Sequence, residues 1–272
     1  MSKVTTVQDV INEYMESRKF SELRDSSQQQ YIFAFTKIGK IMGDLIIADV
    51  KRRDVIRAIE TLRNTPAVAN RFSRIASVLF NYALDMDYIA ANPAARLRMA
   101  TTGSWSRWDI KDIAQVINMG HRIVSTAVAI AFFTGQRESD VLNMRWSDIE
   151  NGVIRVTQQK TGHVLEIKMA EPLRQFLDGL ERNGDYIVSG TNRMSGPAFR
   201  NMFKRVTRSI GLDVQFHGIR KTVGAHLAEQ GHSTNEIAAL LGHKTLTMAA
   251  HYTRQASEKK MIASAVTGLA FD

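Results

Sequence analysis

Two histidines, an arginine and a tyrosine are concentrated in one stretch of the 272-residue chain. The stretch covers residues 216–254 and contains His217, Arg220, His243 and Tyr252. Arginine keeps its charge at physiological pH, and histidine can exchange a proton near neutrality. A tyrosine hydroxyl becomes a nucleophile when a base or a cationic site assists it. Together the four residues indicate an anionic substrate and a hydroxyl nucleophile.

His217 and Arg220 share one helix face if a helix begins at residue 217, and they then lie at its amino end, where an anion is favoured. Each signal also has an ordinary structural explanation. The pair could cap the helix, His243 could cap carbonyl groups after the terminal Gly242, and Tyr252 could be half-buried packing.

Three more charged residues extend this set. Arg137 follows Gly135 at a loop-to-helix junction, and Asp140 lies one turn later, where it can hold the arginine side chain. Lys160 stands at the tip of a predicted hairpin turn and could close over a substrate. Taken alone, these residues have ordinary explanations, namely a surface ion pair for Arg137 and Asp140 and a solvated side chain for Lys160.

The combination suits phosphodiester transesterification without a metal. A tyrosine hydroxyl has an ordinary pKa of about 10, so it needs a base or a strongly cationic site. Two guanidinium groups can bind the oxygens that gain charge in the transition state. A mobile lysine can protonate the departing 5′ oxygen.

The first 90 residues, which precede all of these candidates, are predicted to form a helical bundle. Apolar residues at helical spacing predict helices over 5–18, from Ser26 or Ser27 to Gly43, over 51–63, and from Pro66 to Met86. The connections are short, which favours a compact bundle. Residues 91–107 lack an apolar period and are interpreted as a linker.

The second half, residues 108–256, mixes two kinds of period. Helices are predicted at 122–134, 138–146, from Ser195, and at 217–229, 234–241 and 246–253. Between them, alternating runs at 153–158 and 164–168 predict a hairpin, and residues 186–188 a third short strand. The expected fold class is therefore mainly α with a small antiparallel β-sheet. A tail, residues 257–272, follows, and a last helix is predicted in it from Ser257 to Val266.

Composition narrows the class of protein. The net charge of +9 favours a polyanionic partner such as nucleic acid. The sequence has no cysteine, which excludes disulfides and thiolate chemistry. It shows no signal peptide and no apolar run of about 20 residues, so we expect no membrane partner and a cytoplasmic protein in a bacterium or infected host, associated with the nucleoid.

Four motifs resemble those of the tyrosine recombinases, the phage-integrase family, in the family's order. TGQRESDVLNMRW resembles the first box and contains Arg137 and Asp140. QQKTG resembles the lysine turn, and FHGIRKT the H-x-x-R box. LGHKTLTMAAHYTR resembles the last box, with His243 and Tyr252. The resemblance covers nearly the whole chain.

The resemblance implies a role for each residue. Tyr252 would attack the scissile phosphate and form a 3′-phosphotyrosine. Arg137 and Arg220 would bind the non-bridging oxygens, Lys160 would be the general acid, His217 the base, and His243 a hydrogen-bond donor to the phosphate. Asp140 would support the first arginine. No cofactor, ATP or metal is implied.

The resemblance also implies an architecture. Residues 1–90 would be the helical core-binding domain, which forms a two-domain clamp on duplex DNA with the α+β catalytic domain. Lys37, Arg71 and Arg74 are its candidate DNA contacts. The tail would pack on a neighbouring subunit in a homotetramer on DNA, and accessory DNA-bending or directionality proteins could take part. The small arm-binding domain that precedes the core-binding domain in many phage integrases is not expected.

Several alternatives stay open. The recombinase could integrate or excise a phage or mobile element, or resolve dimers as Xer-like enzymes do. A type IB-like topoisomerase shares the cleavage chemistry. A non-catalytic regulator is also possible, because residues 232–252 resemble a helix-turn-helix. The sequence identifies neither the target DNA, nor the element of origin, nor the oligomeric state off DNA.

Overall fold

The computed structural model describes residues 5–103, 106–243 and 245–253, together with Ile262 and Val266; for 251–253 it describes the backbone alone. The chain divides into two compact units, one up to residue 104 and one from residue 105. Within the described residues, no helix combines the length and apolar character needed to cross a bilayer.

The first unit is helical. Its elements are α1 (Val7–Glu16), α2 (Arg18–Ser21), α3 (Asp25–Met42), α4 (Arg52–Glu60) and α5 (Pro66–Asp85), with a 3-10 turn at Ile47–Asp49. Thr6 and Asp9 form a reciprocal capping box at the start of α1, and Pro66 occupies the first turn of α5, where its missing N–H costs nothing.

The core of this unit lies between α1, α3 and α5. The predicted apolar face of α5 is buried over most of its length, including Phe72 and Leu79. Each buried side chain of this size stabilises the fold by roughly 2 kcal/mol. Two details differ from the prediction: α3 begins after Arg24 rather than after a serine, and Met86 lies past the end of α5 and is exposed.

Much of the predicted linker is bound to this first unit. Asn92 donates its side-chain amide to the Ser77 carbonyl at 2.9 Å, and Ala94 is buried in the core. The Asn70 side chain donates to the Ala100 carbonyl at 2.8 Å and accepts from the Ala100 amide at 2.7 Å. The chain is therefore attached to the first unit as far as residue 100.

The second unit mixes helices with one small sheet. In chain order it has α6 (Ile110–Asn118), α7 (Arg122–Thr134), α8 (Glu138–Val141), β1 (Ile149–Glu150), β2 (Val153–Thr157), β3 (Val164–Lys168), α9 (Glu171–Asp178), α10 (Gly196–Ser209), α11 (His217–Glu229), α12 (Thr234–Leu241) and α13 (Leu246–Thr253). The predicted helix over 138–146 shortens to α8, followed by a 3-10 turn at Trp146–Asp148. The expected helix at residues 257–266 falls almost entirely outside the described residues.

The sheet is antiparallel, in the order β1-β2-β3. In the predicted hairpin, Val153 pairs with Lys168 and Thr157 with Val164. The third strand is β1 rather than residues 186–188, because Tyr186 forms only isolated bridges, with Arg145 and Gly190. The fold class, mainly α with a small antiparallel sheet, agrees with the prediction.

Helix α7 is the buried centre of the second unit. Its apolar residues from Val124 to Ala131 are almost wholly inaccessible, and they pack against α6, α9 and α11. The helix ends at Gly135, whose positive φ of 66° suits glycine. Gln136 and Arg137 follow this glycine directly, so a deeply buried helix positions the first candidate arginine.

Candidate active site

Arg220 lies at the centre of the candidate site, in the first turn of α11, and is only 2% exposed. Its guanidinium donates to the Gly135 carbonyl at 2.8 Å and to the Leu241 carbonyl at 2.6 Å. The same group lies 2.8 Å from His243 Nε2. One side chain therefore connects the end of α7, the start of α11 and the end of α12.

Arg137 is held less tightly. Its guanidinium lies 3.8 Å from Asp140 Oδ2, too far for a hydrogen bond. Among the described residues, Arg137 Nη1 and Asp140 Oδ2 are buried without a hydrogen-bond partner. Donors that the protein leaves unsatisfied remain available to the oxygens of a bound anion. The expected pairing with Asp140 is thus present as an ion pair.

Lys160 is exposed at the turn between β2 and β3. The turn is closed by a bond from the Gly162 amide to the Gln158 carbonyl at 2.8 Å. It is tied to the first arginine as well, since the Gln159 amide donates to Asp140 Oδ1 at 2.8 Å. Asp140 therefore contacts both the arginine and the backbone beside the lysine.

Both candidate histidines are neutral at physiological pH. Burial, followed by the charges of Arg220 and Arg137, lowers the pKa of His243 to about 4. Burial also lowers the pKa of His217, and the cations around it lower it further, namely Arg220, Lys221, Arg137 and Lys160. His243 Nε2 can then accept from Arg220, and His217 can accept a proton.

Tyr252 belongs to α13, which packs against α11 and α12. Ala249, three residues before it, is fully buried in the core of the second unit. The tyrosine's side chain lies outside the described part of the structure. The site therefore brings together Arg137, Lys160, His217, Arg220 and His243, and the backbone of α13 carries the sixth residue.

Two buried glutamines that the sequence analysis did not select link these segments. Gln136 and Gln158 are almost completely inaccessible, and Gln158 Nε2 donates to Gln136 Oε1 at 2.8 Å. Both stand inside the quoted motifs, one residue before Arg137 and two before Lys160. Their closeness in sequence to those cations was the one signal that could have identified them. It was not followed, because polar residues in loops are normally solvated.

The three candidate DNA contacts lie in the first unit, apart from these residues in sequence. Lys37 is half-buried on α3, with its ammonium group 5.1 Å from the centre of the Phe33 ring. Arg71 and Arg74 are on α5; Arg74 is exposed and donates to the Asn70 carbonyl at 3.2 Å. Among the described residues, no group of three or more histidine or acidic side chains could hold a metal ion.

Comparison with known proteins identifies the family. Residues 107–259 match the profile of the phage integrase family. That segment is more than half of the chain and includes every candidate catalytic residue. The chain belongs to the phage integrase family. Residues 7–100 also match the phage integrase central domain.

Curated relatives give the same assignment. The integrase of Enterobacteria phage 434 is 28% identical over 246 residues, which are 82% of this chain and 68% of that protein. The integrase of Escherichia phage lambda is 33% identical over 146 residues, 46% of this chain and 40% of that protein. A XerC-like tyrosine recombinase of Caldanaerobacter subterraneus is 24% identical over 66% of this chain and 60% of its own length.

Solved structures share the fold of this family member. A lambda integrase tetramer bound to a Holliday junction matches with a TM-score of 0.82 at 23% identity, covering 92% of this chain and 78% of that one. The Tn1549 transposon integrase bound to a circular intermediate DNA matches with a TM-score of 0.80 at 17% identity, covering 96% and 99%. The predicted family, fold class and enzyme class are confirmed: the chain is a site-specific recombinase of the tyrosine class.

Proposed function

We propose that this recombinase cuts and rejoins duplex DNA through a 3′-phosphotyrosine on Tyr252, with Arg137, Lys160, His217, Arg220 and His243 as its catalytic residues. Its role is the integration or excision of a phage or mobile element. The similarity to phage integrases over most of the chain supports this role, while the Xer-like relatives keep dimer resolution as the alternative.

One observation carries the proposal. Arg220 is buried, yet it connects the three segments that carry Arg137, His243 and itself. A buried guanidinium is costly unless it is paired or serves a ligand. Two carbonyls and the ring of His243 hold its guanidinium in place, so the charge is oriented before a substrate binds. A cationic, preorganised site of this kind suits a phosphoryl group that gains negative charge.

The reaction balances without another reactant. The tyrosine oxygen attacks the phosphorus atom and gives its proton to His217, whose lowered pKa keeps it neutral and able to accept it. The bond from phosphorus to the 5′ oxygen breaks, and Lys160 gives that oxygen a proton. A 5′ hydroxyl from a partner strand then attacks the phosphotyrosine in the reverse sequence. Each rejoining step therefore restores the residues to their starting state.

We further propose that the two units act as a clamp on DNA and that four copies assemble there. The lambda integrase tetramer bound to a Holliday junction supports this assembly. The surplus of +9 charges favours a polyanion. Lys37, Arg71 and Arg74 are proposed contacts of the core-binding domain, and the tail, residues 257–272, a contact between subunits. A cytoplasmic, nucleoid-associated location stays a prediction.

The test is covalent capture. Nicked duplexes with a randomised core are mixed with the wild-type chain, and DNA that stays attached after denaturation is recovered and sequenced. We expect one enriched core sequence and a phosphotyrosine at residue 252. The Tyr252→Phe variant removes only the hydroxyl and should give no adduct. An adduct of equal yield with that variant would refute the assignment of the nucleophile.

The recovered site also separates recombinase from topoisomerase. Two duplexes bearing the site, differing in length and label, should exchange ends when mixed with the wild-type chain. Relaxation of supercoiled DNA without such exchange would favour the type IB-like alternative. Enrichment of a sequence without any covalent product would favour a non-catalytic regulator.

A further inference from the structure

The buried side chain of Gln158 forms hydrogen bonds to several segments of the site, although no catalytic role is proposed for it. Gln158 is wholly inaccessible and uses its side-chain amide in three directions. Nε2 donates to Gln136 Oε1 at 2.8 Å and to the Leu241 carbonyl at 2.9 Å. Oε1 accepts from Thr161 Oγ1 at 2.9 Å. Both ends of the amide are therefore occupied inside the protein.

These bonds join the lysine turn to the arginine site. Thr161 is the residue directly after Lys160, so the bond to Gln158 acts on the turn itself. The Leu241 carbonyl that accepts from Gln158 also accepts from Arg220 at 2.6 Å. Gln136, the next partner, donates to the Leu240 carbonyl at 2.9 Å. The Gln158 amide thus fixes the spacing between the turn that carries Lys160 and the Leu241 carbonyl that binds Arg220.

We propose that Gln158 is a positioning residue, which holds the turn of Lys160 in register with Arg220 so that the lysine reaches the departing 5′ oxygen. The inference rests on the proposed function, because it assumes that Lys160 is the general acid. A glutamine is needed since one group must donate twice and accept once. A glutamate would place its carboxylate against two oxygen acceptors, and a leucine would keep the volume but make no bond.

The backbone after α12 lies close against the Gln158 amide. A Cβ on Gly242 would collide with the Gln158 amide, and Gly242 has a positive φ of 61°. The turn after α12 is therefore shaped around the glutamine. Gln158 couples the lysine turn to the segment that carries His243.

The test uses a leaving group that does not need an acid. In a duplex with a 5′-bridging phosphorothiolate at the cleavage position, sulfur departs in place of oxygen, and a thiol has a pKa of about 8.5, far below that of an alcohol. A defect in proton donation should disappear on this substrate. A defect in phosphate binding or in folding should remain.

Cleavage rates are compared on the captured site with oxygen and with sulfur at that position. With oxygen, we expect Gln158→Leu to lose on the order of 10²-fold, since a shift of about 1 Å costs that much, and Lys160→Ala to lose about 10²–10⁴-fold. With sulfur, both should return to within about tenfold of the wild type. Arg220→Ala should stay inactive on both, and Gln115→Leu, the same exchange at an exposed glutamine of α6, should match the wild type.

The outcomes distinguish a failure of the positioning role of Gln158 from a failure of the general-acid role of Lys160. If sulfur rescues Lys160→Ala but not Gln158→Leu, Gln158 does not position the acid, and the proposal is wrong while the mechanism stands. If sulfur does not rescue Lys160→Ala, the role of the lysine is wrong and the inference falls with it. Rescue of both variants supports the proposal.

A milder variant covers the case in which Gln158→Leu does not fold, as a thermal melt would reveal. Thr161→Val removes only the hydroxyl that donates to Gln158, at a half-buried position. It should lose a smaller part of the rate with oxygen and recover with sulfur. An unchanged rate with oxygen, or an equal loss on both substrates, would overturn the proposal.

Discussion

Arg220 and Arg137 carry the same charge, but the protein holds them in different ways. Arg220 donates to two carbonyls and lies against His243, so its position is set before any substrate arrives. Arg137 has a loose ion pair with Asp140, and its Nη1 has no hydrogen-bond partner among the described residues. An unsatisfied buried donor costs about 1–3 kcal/mol, and a bound phosphate oxygen would satisfy it. Arg137 thus gains more stabilisation from a bound substrate, whereas Arg220 organises the site before the substrate binds.

The lowered pKa of His243 predicts a pH dependence of stability. The folded chain binds its proton only near pH 4, whereas the unfolded chain binds it near the ordinary value of 6.5. Between these values the unfolded state holds more protons, so stability from this residue is complete above 6.5 and is lost as the pH falls towards 4. Urea unfolding at a series of pH values, followed by tryptophan fluorescence, measures this dependence. The fluorescence reports on the unit that contains His243, because all three tryptophans lie in the second unit.

The control for this prediction is His243→Gln, whose amide oxygen can still accept from Arg220 but does not titrate. His217 has a lowered pKa as well, and it is present in both proteins, so the difference between them reports His243. The stability advantage of the wild type over the variant should shrink as the pH falls through this window. A difference that stays constant between pH 6.5 and 4 would show that His243 is not the titrating group.

At the scale of elements, the end of α12 is shaped by one glycine. Gly242 has a positive φ of 61°, and a Cβ there would collide with Gln158. Gly152, in the turn before β2, has a φ of 76° but open space around it. An alanine at 152 meets only backbone strain of about 1–2 kcal/mol. An alanine at 242 meets the same strain and a collision that costs roughly 1–3 kcal/mol more.

We therefore expect Gly242→Ala to lower the free energy of unfolding more than Gly152→Ala does. The same fluorescence-detected urea titration compares them. Only the substitution at 242 should also slow cleavage, since it displaces Gln158 and with it the lysine turn. Equal losses of stability in the two variants would mean that the contact between Gly242 and Gln158 is not tight in solution.

Periodicity predicted the long elements and failed for the short ones. Helix α5 has an apolar repeat over several turns, and α7 has an apolar run long enough for a buried helix, so the sequence sufficed for both. Strand β1 has only two residues, too few for any period, and the apolar run at 186–188 took its place in the prediction. The catalytic candidates were found through their residue types. Gln136 and Gln158 were not, because a buried polar residue is recognised only once its partners are known.

At the scale of the whole molecule, the boundary of the first unit lies later than the residue pattern indicated. The segment from Asn92 to Ala100 has no apolar period, yet its side chains and backbone bind α4 and α5. Arg52 donates to the Ala95 carbonyl at 2.5 Å, and Asn70 makes two bonds with Ala100. These contacts use single residues rather than a repeating face, which is why a search for periodicity assigned the segment to the linker.

This boundary predicts different stabilities for two fragments of the first unit. A fragment of residues 1–90 loses the burial of Ala94 and the hydrogen bonds of Asn70 and Asn92, which together contribute roughly 2–4 kcal/mol. In a domain of about 100 residues, each kcal/mol changes the melting temperature by about 4–8 °C. Thermal unfolding followed by circular dichroism should therefore place the melting temperature of the fragment of residues 1–103 about 8–32 °C higher. In the longer fragment, Asn70→Ala should remove part of that gain, whereas Asn12→Ala, at an exposed position of α1, should not. Equal melting temperatures for the two fragments would show that residues 91–103 act as a free linker, as the sequence pattern alone suggested.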